Sequence, residues 1–260
     1  KKVKTSVTFA LKDDETASIS TVAAPAPHYL ESWGDVEITK GTYSLTQPTI
    51  RPIFNTKQFQ DVLLSLNGVA GTFYDYLKAN AATLIGGTTF NKALYNGVLE
   101  GGNTATLSYA GGNAAQAATE LGNLKASDLE LVLYTKTSIG DGTQANNPWL
   151  QELPDPITRL SWDNYLTISP KDAEKLDLDN DLNARMQLGG SLVNLTVNGV
   201  TIKDIPVFVQ PGQAEGSMGL ALGYGKKDSG KVAETGVNAY PLFDGSNSVL
   251  SNVKIEKTGG

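Results

Sequence analysis

The run Tyr165-Leu-Thr-Ile-Ser-Pro-Lys-Asp-Ala-Glu-Lys-Leu-Asp-Leu178 decides how the second half of the chain folds. Residues 165–168 form an apolar strand pattern that leads straight into a helix start. Ser169 suits the N-cap and Pro170 the first helical position, where its missing N–H would have no partner anyway. Asp172 stands where a capping box places its acid. The spacing predicts a short helix ending near Leu176. Downstream, residues 192–197 and 200–203 flank Asn198-Gly199, a pair that accepts the positive φ of a type I′ hairpin turn. Residues 205–209 continue as a strand until Pro211-Gly212, and Pro206, lacking a ladder N–H, predicts an edge position. Upstream, residues 130–135 read as a strong strand, and residues 249–255 as the last one. Strand, capped helix, hairpin and strand at this spacing predict a small closed β-barrel with inserted helices over residues 126–260.

Residues 1–125 read as a mixed, partial α/β domain, which makes the whole chain α+β. Val3, Thr5, Val7, Phe9 and Leu11 share one strand face, and residues 18–24 predict a second strand ended by Pro25 and Pro27. Residues 39–53, broken by Gly41, Pro48 and Pro52, predict an irregular or extended segment. After Asn55-Thr56, read as an N-cap pair, Phe59, Val62, Leu63 and Leu66 recur at i, i+3, i+4 and i+7. That is the apolar stripe of a helix ended by Gly68. Shorter helices are predicted over 73–80 and 91–95, the second stopped by Asn96-Gly97. Residues 100–123, with Gly101-Gly102 and Gly111-Gly112, predict a loop connector, and the domain boundary falls at 125/126.

Composition narrows the chemistry. The 260 residues are 40% hydrophobic and 18% charged, enough to bury one sizeable core or two modest ones. The net charge is -6 and no basic run exceeds Lys1-Lys2 or Lys226-Lys227, which argues against a nucleic-acid partner. With no cysteine there is no disulfide, thiolate zinc site, iron–sulfur ligand or thiol nucleophile. His28 is the one histidine, so histidine-based triads and metal sites have little to build on. No stretch approaches 18 uninterrupted apolar residues, and none is expected to span a membrane. The chain opens in mid-pattern with no leader, as a segment of a longer or processed protein would.

The run over residues 165–178 resembles the strand, N/S-P-x-D-A, helix signature of the C-terminal domain of molybdopterin oxidoreductases, with Asp177 where that pattern has glycine. Asp13-Asp14-Glu15-Thr16-Ala17, Val22-Ala23-Ala24-Pro25 and Leu30-Glu31 resemble the same family's E-T-A … D-V-V-L-P … E stretch. Three further segments, residues 28–35, 43–50 and 146–156, are similar to the fused molybdopterin-like and iron–sulfur subunit of alternative complex III, a quinol-oxidising respiratory complex. The resemblance covers roughly residues 5–255. It implies a double-psi β-barrel for residues 126–260. It also implies a molybdopterin-type scaffold that has lost its cofactor, and iron–sulfur clusters in a downstream domain outside this sequence. The expected partners are the other subunits of a membrane-bound complex, and the expected location is the periplasmic side of the bacterial inner membrane.

Several residues are weighed as candidate sites. His28 could relay a proton or ligate a metal, or simply hydrogen-bond locally beside Tyr29. Glu31 and Asp35 could share acid–base work or make interdomain hydrogen bonds. Gly216, Gly219, Gly223 and Gly225 are the candidate cofactor-binding residues, since glycine backbone can approach a pyrophosphate closely. Their spacing matches neither a Rossmann fingerprint nor a P-loop, so a structural barrel loop is the competing reading. Residues 177–181 are acidic but lack the EF-hand glycine, Leu182 standing in its place, and read as a solvated turn. Asn194-Leu-Thr196 is a glycosylation sequon set within a predicted strand. Trp149, among Pro148, Pro154 and Pro156, marks a candidate docking segment. Three functions compete: a non-catalytic scaffold of an electron-transfer complex, the C-terminal part of an active molybdopterin enzyme touching the pterin through the glycine run, and a free-standing extracellular binding module with a β-rich core, against which the mid-strand start and the family resemblance stand.

Overall fold

The computed structural model describes residues 2–84, 89–100, 108, 110–123, 127–182 and 188–259. It divides into two units, residues 1–112 and 113–260. In the first unit β1 (Val7–Ala10) and β2 (Val22–Pro25) pair in parallel, with α1 (Glu15–Ile19) as the crossover between them. The second strand is therefore shorter than expected. Asp14 accepts a hydrogen bond from the Ala17 amide at 2.8 Å and starts a helix that takes up Ser18 and Ile19.

The segment expected to be irregular is partly a hairpin. β3 (Gly34–Thr39) and β4 (Thr42–Thr46) turn at Gly41, whose φ of 81° suits glycine. α2 (Phe59–Leu66), α3 (Phe73–Leu84), α4 (Phe90–Asn96) and β5 (Val98–Glu100) follow, with β5 pairing antiparallel to β4. Gln58, not Asn55-Thr56, is the N-cap of α2, and its side chain is spent on the backbone N–H and carbonyl of Trp33. Gly97 ends α4 in the left-handed conformation, as its sequence predicts. The core here is Leu77, Ala81, Phe90, Ala93 and Leu99. The predicted stripe of α2 forms, but Phe59, Leu63 and Leu66 remain exposed.

The expected boundary at 125/126, and Gly101-Gly102, lie outside the described residues. The predicted connector contains α5 (Ala114–Asn123), which belongs to the second unit. The Asn113 side chain caps the Gln116 amide at 3.0 Å, and four alanines favour the helix that follows.

The second unit continues with β6 (Glu130–Tyr134), α6 (Pro148–Glu152), β7 (Leu166–Ile168) and α7 (Pro170–Lys175). Then come β8 (Asn180–Leu182), β9 (Leu188–Gly190), β10 (Leu192–Val197), β11 (Val200–Val209), β12 (Ser217–Ala221), β13 (Val249–Leu250) and β14 (Lys254–Lys257). β8 and β9 form a small antiparallel pair of their own. The main sheet has seven strands in the order β13-β6-β12-β7-β11-β10-β14 and mixes parallel and antiparallel neighbours. Residues 249–255, expected as one strand, are split: β13 and β14 lie at opposite edges, with Asn252 at a φ of 58° between them. Six strand spacings in a flat sheet would separate those edges by roughly 29 Å. Four residue steps from Leu250 to Lys254 reach at most roughly 14 Å. The sheet must therefore curl.

Alternation fills the interior. Val193, Leu195 and Val197 of β10 and Leu131 and Leu133 of β6 point inward to meet Leu166, Ile168, Met218 and Leu220. Pro206 does not mark an edge, because β11 lies inside the sheet. It falls where the β10 ladder ends at Leu192 and the β7 ladder begins at Val207, so no hydrogen bond depends on its missing N–H. Asn198 and Gly199, at φ of 51° and 81°, make the predicted hairpin turn.

Candidate functional site

The strand-to-helix run behaves as its sequence predicts. The Ser169 hydroxyl accepts from the Asp172 amide at 3.1 Å and donates to the Asp172 carboxylate at 2.6 Å. Asp172 is 4% exposed and also accepts from the Gly216 amide at 2.7 Å and from Lys175 at 3.3 Å. Burial pushes the Asp172 carboxyl up, but Ser169, Gly216 and Lys175 outweigh it and hold the group below the usual carboxylate range. This network fastens α7 to the start of β12.

The glycine run is a central strand with the segment that follows it, rather than a loop throughout. Gly216 precedes β12 and Gly219 lies within it, while Gly223 and Gly225 come after it. Each is tight against the chain itself. A Cβ would fall 2.9 Å from the Asp128 carbonyl oxygen at Gly216 and 2.8 Å from the Thr167 hydroxyl at Gly219. At Gly223 it would fall 2.8 Å from the Gly140 carbonyl oxygen, and at Gly225 2.4 Å from the Asn238 amide nitrogen. The four glycines meet four different stretches of chain.

The other candidates do not converge either. His28 caps a short 3-10 turn: its Nδ1 accepts from Leu30, while Glu31 accepts from the His28 amide at 3.0 Å and from Ile53 at 3.1 Å. Asp35 lies on β3. Asp177 pairs with Lys257 and Asp179 with Ser191, so the acidic run is divided between partners. Asn194 accepts from the Asp204 amide within the sheet. Among the described residues no group of three or more His, Asp or Glu side chains is placed to hold a metal, and no helix is long and apolar enough to cross a membrane.

One cluster stands out, and no sequence motif announced it. Lys136, just beyond β6, is 4% exposed. Its Nζ donates to the Asp163 carbonyl oxygen at 3.1 Å and lies 4.0 Å from the Tyr165 ring centre and 5.2 Å from that of Tyr224. Burial lowers its amine from 10.5 to about 8, against the pull of the Asp155 and Asp163 carboxylates. Burial likewise pushes the Tyr134 phenol up to about 12 and raises those of Tyr165 and Tyr224. Asp163 is raised by burial, opposed by its own amide and by Lys136. For Asp155, burial is outweighed by the Thr158 and Ile157 amides, the Thr158 hydroxyl and the Lys136 charge, so it lies low. The Tyr165 hydroxyl meets that of Thr158, which donates to Asp155 at 3.2 Å. A cavity of about 170 Å³ lies beside the cluster, lined in part by Ser161, Asp163, Tyr165, Asn180 and Phe208; Lys136 is not in its wall. The amine is enclosed.

The stretch from α6 to β7, held at Asp163 by Lys136, turns apolar side chains outward. Trp149 is 81% exposed and Ile157 75%, with Leu153 and Trp162 beside them in sequence and also exposed. Arg159 and Trp162 sit at φ of 62° and 74°. For side chains of this size the left-handed region costs on the order of 1–2 kcal/mol each. The Trp162 amide donates to the Gln151 carbonyl at 2.7 Å. Asn164, fully buried, donates to the Ala221 and Val237 carbonyls and accepts from the Val237 amide.

No family model matches the chain, and no curated protein does. Among solved structures, acetylene hydratase from Pelobacter acetylenicus is similar to it with a TM-score of 0.62 at 13% identity. The match covers 98% of this chain and 40% of that one, so the chain spans less than half the length of its structural neighbour. At this identity the likeness bears on fold alone: the chain shares the fold of part of that protein.

Proposed function

We propose that this chain is a non-catalytic scaffold region of a larger molybdopterin-oxidoreductase-like, iron–sulfur-containing subunit in a quinol-oxidising respiratory complex of the alternative complex III type. In this reading the curled sheet is a double-psi β-barrel and the pterin has been lost. The clusters lie in a downstream domain, and the assembly faces the periplasm. The observation that carries the reading is the contrast within residues 136–165. The cluster's amine and phenols are turned in on one another, while Trp149 and Ile157 face outward. Enclosed polar groups fix a shape, and outward aromatic side chains of this kind anchor interfaces.

The experiment is Trp149→Ala in the intact subunit. Loss of complex assembly with unchanged cluster spectra is the expected result. Normal assembly with a fall in molybdenum-dependent activity would replace the scaffold with an active enzyme whose Gly216–Gly225 run contacts the pterin.

A further inference from the structure

The first unit holds a cavity of about 490 Å³ between the 3-10 turn capped by His28, the extended segment over residues 48–52 and the starts of α2 and α3. That size is within the roughly 300–1,000 Å³ of small-molecule sites. Its walls are fixed from behind by bonds the chain makes to itself. Gln58 holds Trp33 on both sides, accepting from its amide at 3.0 Å and donating to its carbonyl oxygen at 2.8 Å. The segment bearing Arg51 is pinned before and after that residue. The Ile50 amide donates to the Leu30 carbonyl at 3.1 Å, and the Ile53 amide to the Glu31 carboxylate at 3.1 Å. Asp61, in the first turn of α2, accepts from the Phe73 amide at 2.6 Å through one oxygen. The cavity is therefore shaped before a ligand arrives, which removes much of the ordering cost of binding.

Two charged groups in this wall still have bonds to give. Among the described residues none of the five N–H donors of Arg51 is used, and the second oxygen of Asp61 accepts nothing. The two are opposite in sign and face one cavity, yet they do not pair with each other. Glu31, the other acid of the wall, has given its two oxygens to the His28 and Ile53 amides. The rings of Trp33 and Tyr74, 4.5 Å apart and tilted by 44°, form an aromatic wall, and Pro48 and Pro52 add rigid apolar surface. A simple anion would be drawn by Arg51 and opposed by Asp61, and a simple cation the reverse. A ligand with a carboxylate and an ammonium on one carbon answers both. We propose that this cavity binds an α-amino acid with an aromatic side chain. Arg51 takes the carboxylate in a two-pronged bond, Asp61 takes the ammonium, and the ring packs on Trp33 and Tyr74. The site belongs to the first unit alone and stands independently of the scaffold reading.

Titration of the full chain with L-phenylalanine tests it, read by calorimetry and by the Trp33 indole N–H resonance in NMR. Saturable binding in the millimolar range or tighter, with that resonance moving, is the expected result. Two analogues separate the charges: L-phenylalaninamide lacks the carboxylate and N-acetyl-L-phenylalanine lacks the ammonium. Each should bind at least about tenfold more weakly than the amino acid. Arg51→Gln should weaken L-phenylalanine about tenfold without weakening the amide. Asp61→Asn, which keeps an acceptor for the Phe73 amide, should weaken L-phenylalanine about tenfold without weakening the N-acetyl compound. No saturation up to about 20 mM overturns the proposal. So do analogues that bind as well as the amino acid, or an affinity that neither variant changes. Arg51 is exposed, so its substitution leaves the fold intact. If Asp61→Asn does not fold, Arg51→Gln and the two analogues decide.

Discussion

Gly142 and Gly223 cross so closely that a Cβ on Gly142 would lie 2.5 Å from the Gly223 carbonyl oxygen. Both have positive φ, 89° and 92°, so each position combines a backbone that favours glycine with no room for a side chain. The loop after β6 and the segment after β12 are locked together at this point. Gly142→Ala should therefore lower unfolding free energy by about 2–4 kcal/mol. Gly111→Ala, with nothing within 4 Å of its Cβ, should change it by less than about 0.5 kcal/mol. Urea denaturation of the two variants checks the ordering, and equal midpoints would contradict the crossing.

Asp172 gives a prediction with a defined pH window. Its carboxyl is lower in the folded chain than in the unfolded one, so its contribution is present above the unfolded value, about 3.9, and disappears as pH falls through the folded value. Asp172→Asn should cost about 1–2 kcal/mol near neutral pH, where the ionised acceptor of the Ser169 and Gly216 bonds is lost. The gap between wild type and variant should narrow below about pH 4. A constant gap across the acid range would show that the ionised form has no special role.

Lys136 works in the opposite pH direction. Its folded value is depressed to about 8, so above that pH the unfolded chain binds a proton that the folded chain has released. Stability therefore rises with pH from about 8 toward 10.5. The tyrosines oppose this only above their ordinary value near 10, where the unfolded phenols ionise first and stability falls again. Between about pH 7.5 and 9.5 the wild type should gain about 1–2 kcal/mol of unfolding free energy, and Lys136→Met should gain none. Denaturation curves at the two pH values are sufficient.

Local chemistry was the legible part of this fold. Ser169, Pro170 and Asp172 mark a helix start, and Asn198-Gly199 a hairpin, because each signal acts over a few neighbouring residues. α1 and α5 escaped because their caps, Asp14 and Asn113, lie in stretches that composition assigns to turn or loop. The split between β13 and β14 and the inward place of Pro206 depend on which strands pair, which no local pattern carries. The Lys136 cluster was illegible for the same reason: Tyr165 and Tyr224 are distant in sequence and meet only because β7 and β12 pair side by side. The glycine run was visible, but whether a glycine faces a ligand or another strand is decided by what packs on it, and here the Asp128, Thr167, Gly140 and Asn238 atoms do.

The claim that the chain is a scaffold without its own redox chemistry is tested most directly by metal and pterin analysis of the intact subunit, purified in its complex and normalised to protein. The scaffold account predicts iron from the clusters of the neighbouring domain, with molybdenum and pterin far below one per subunit. One molybdenum and its pterin per subunit would contradict it.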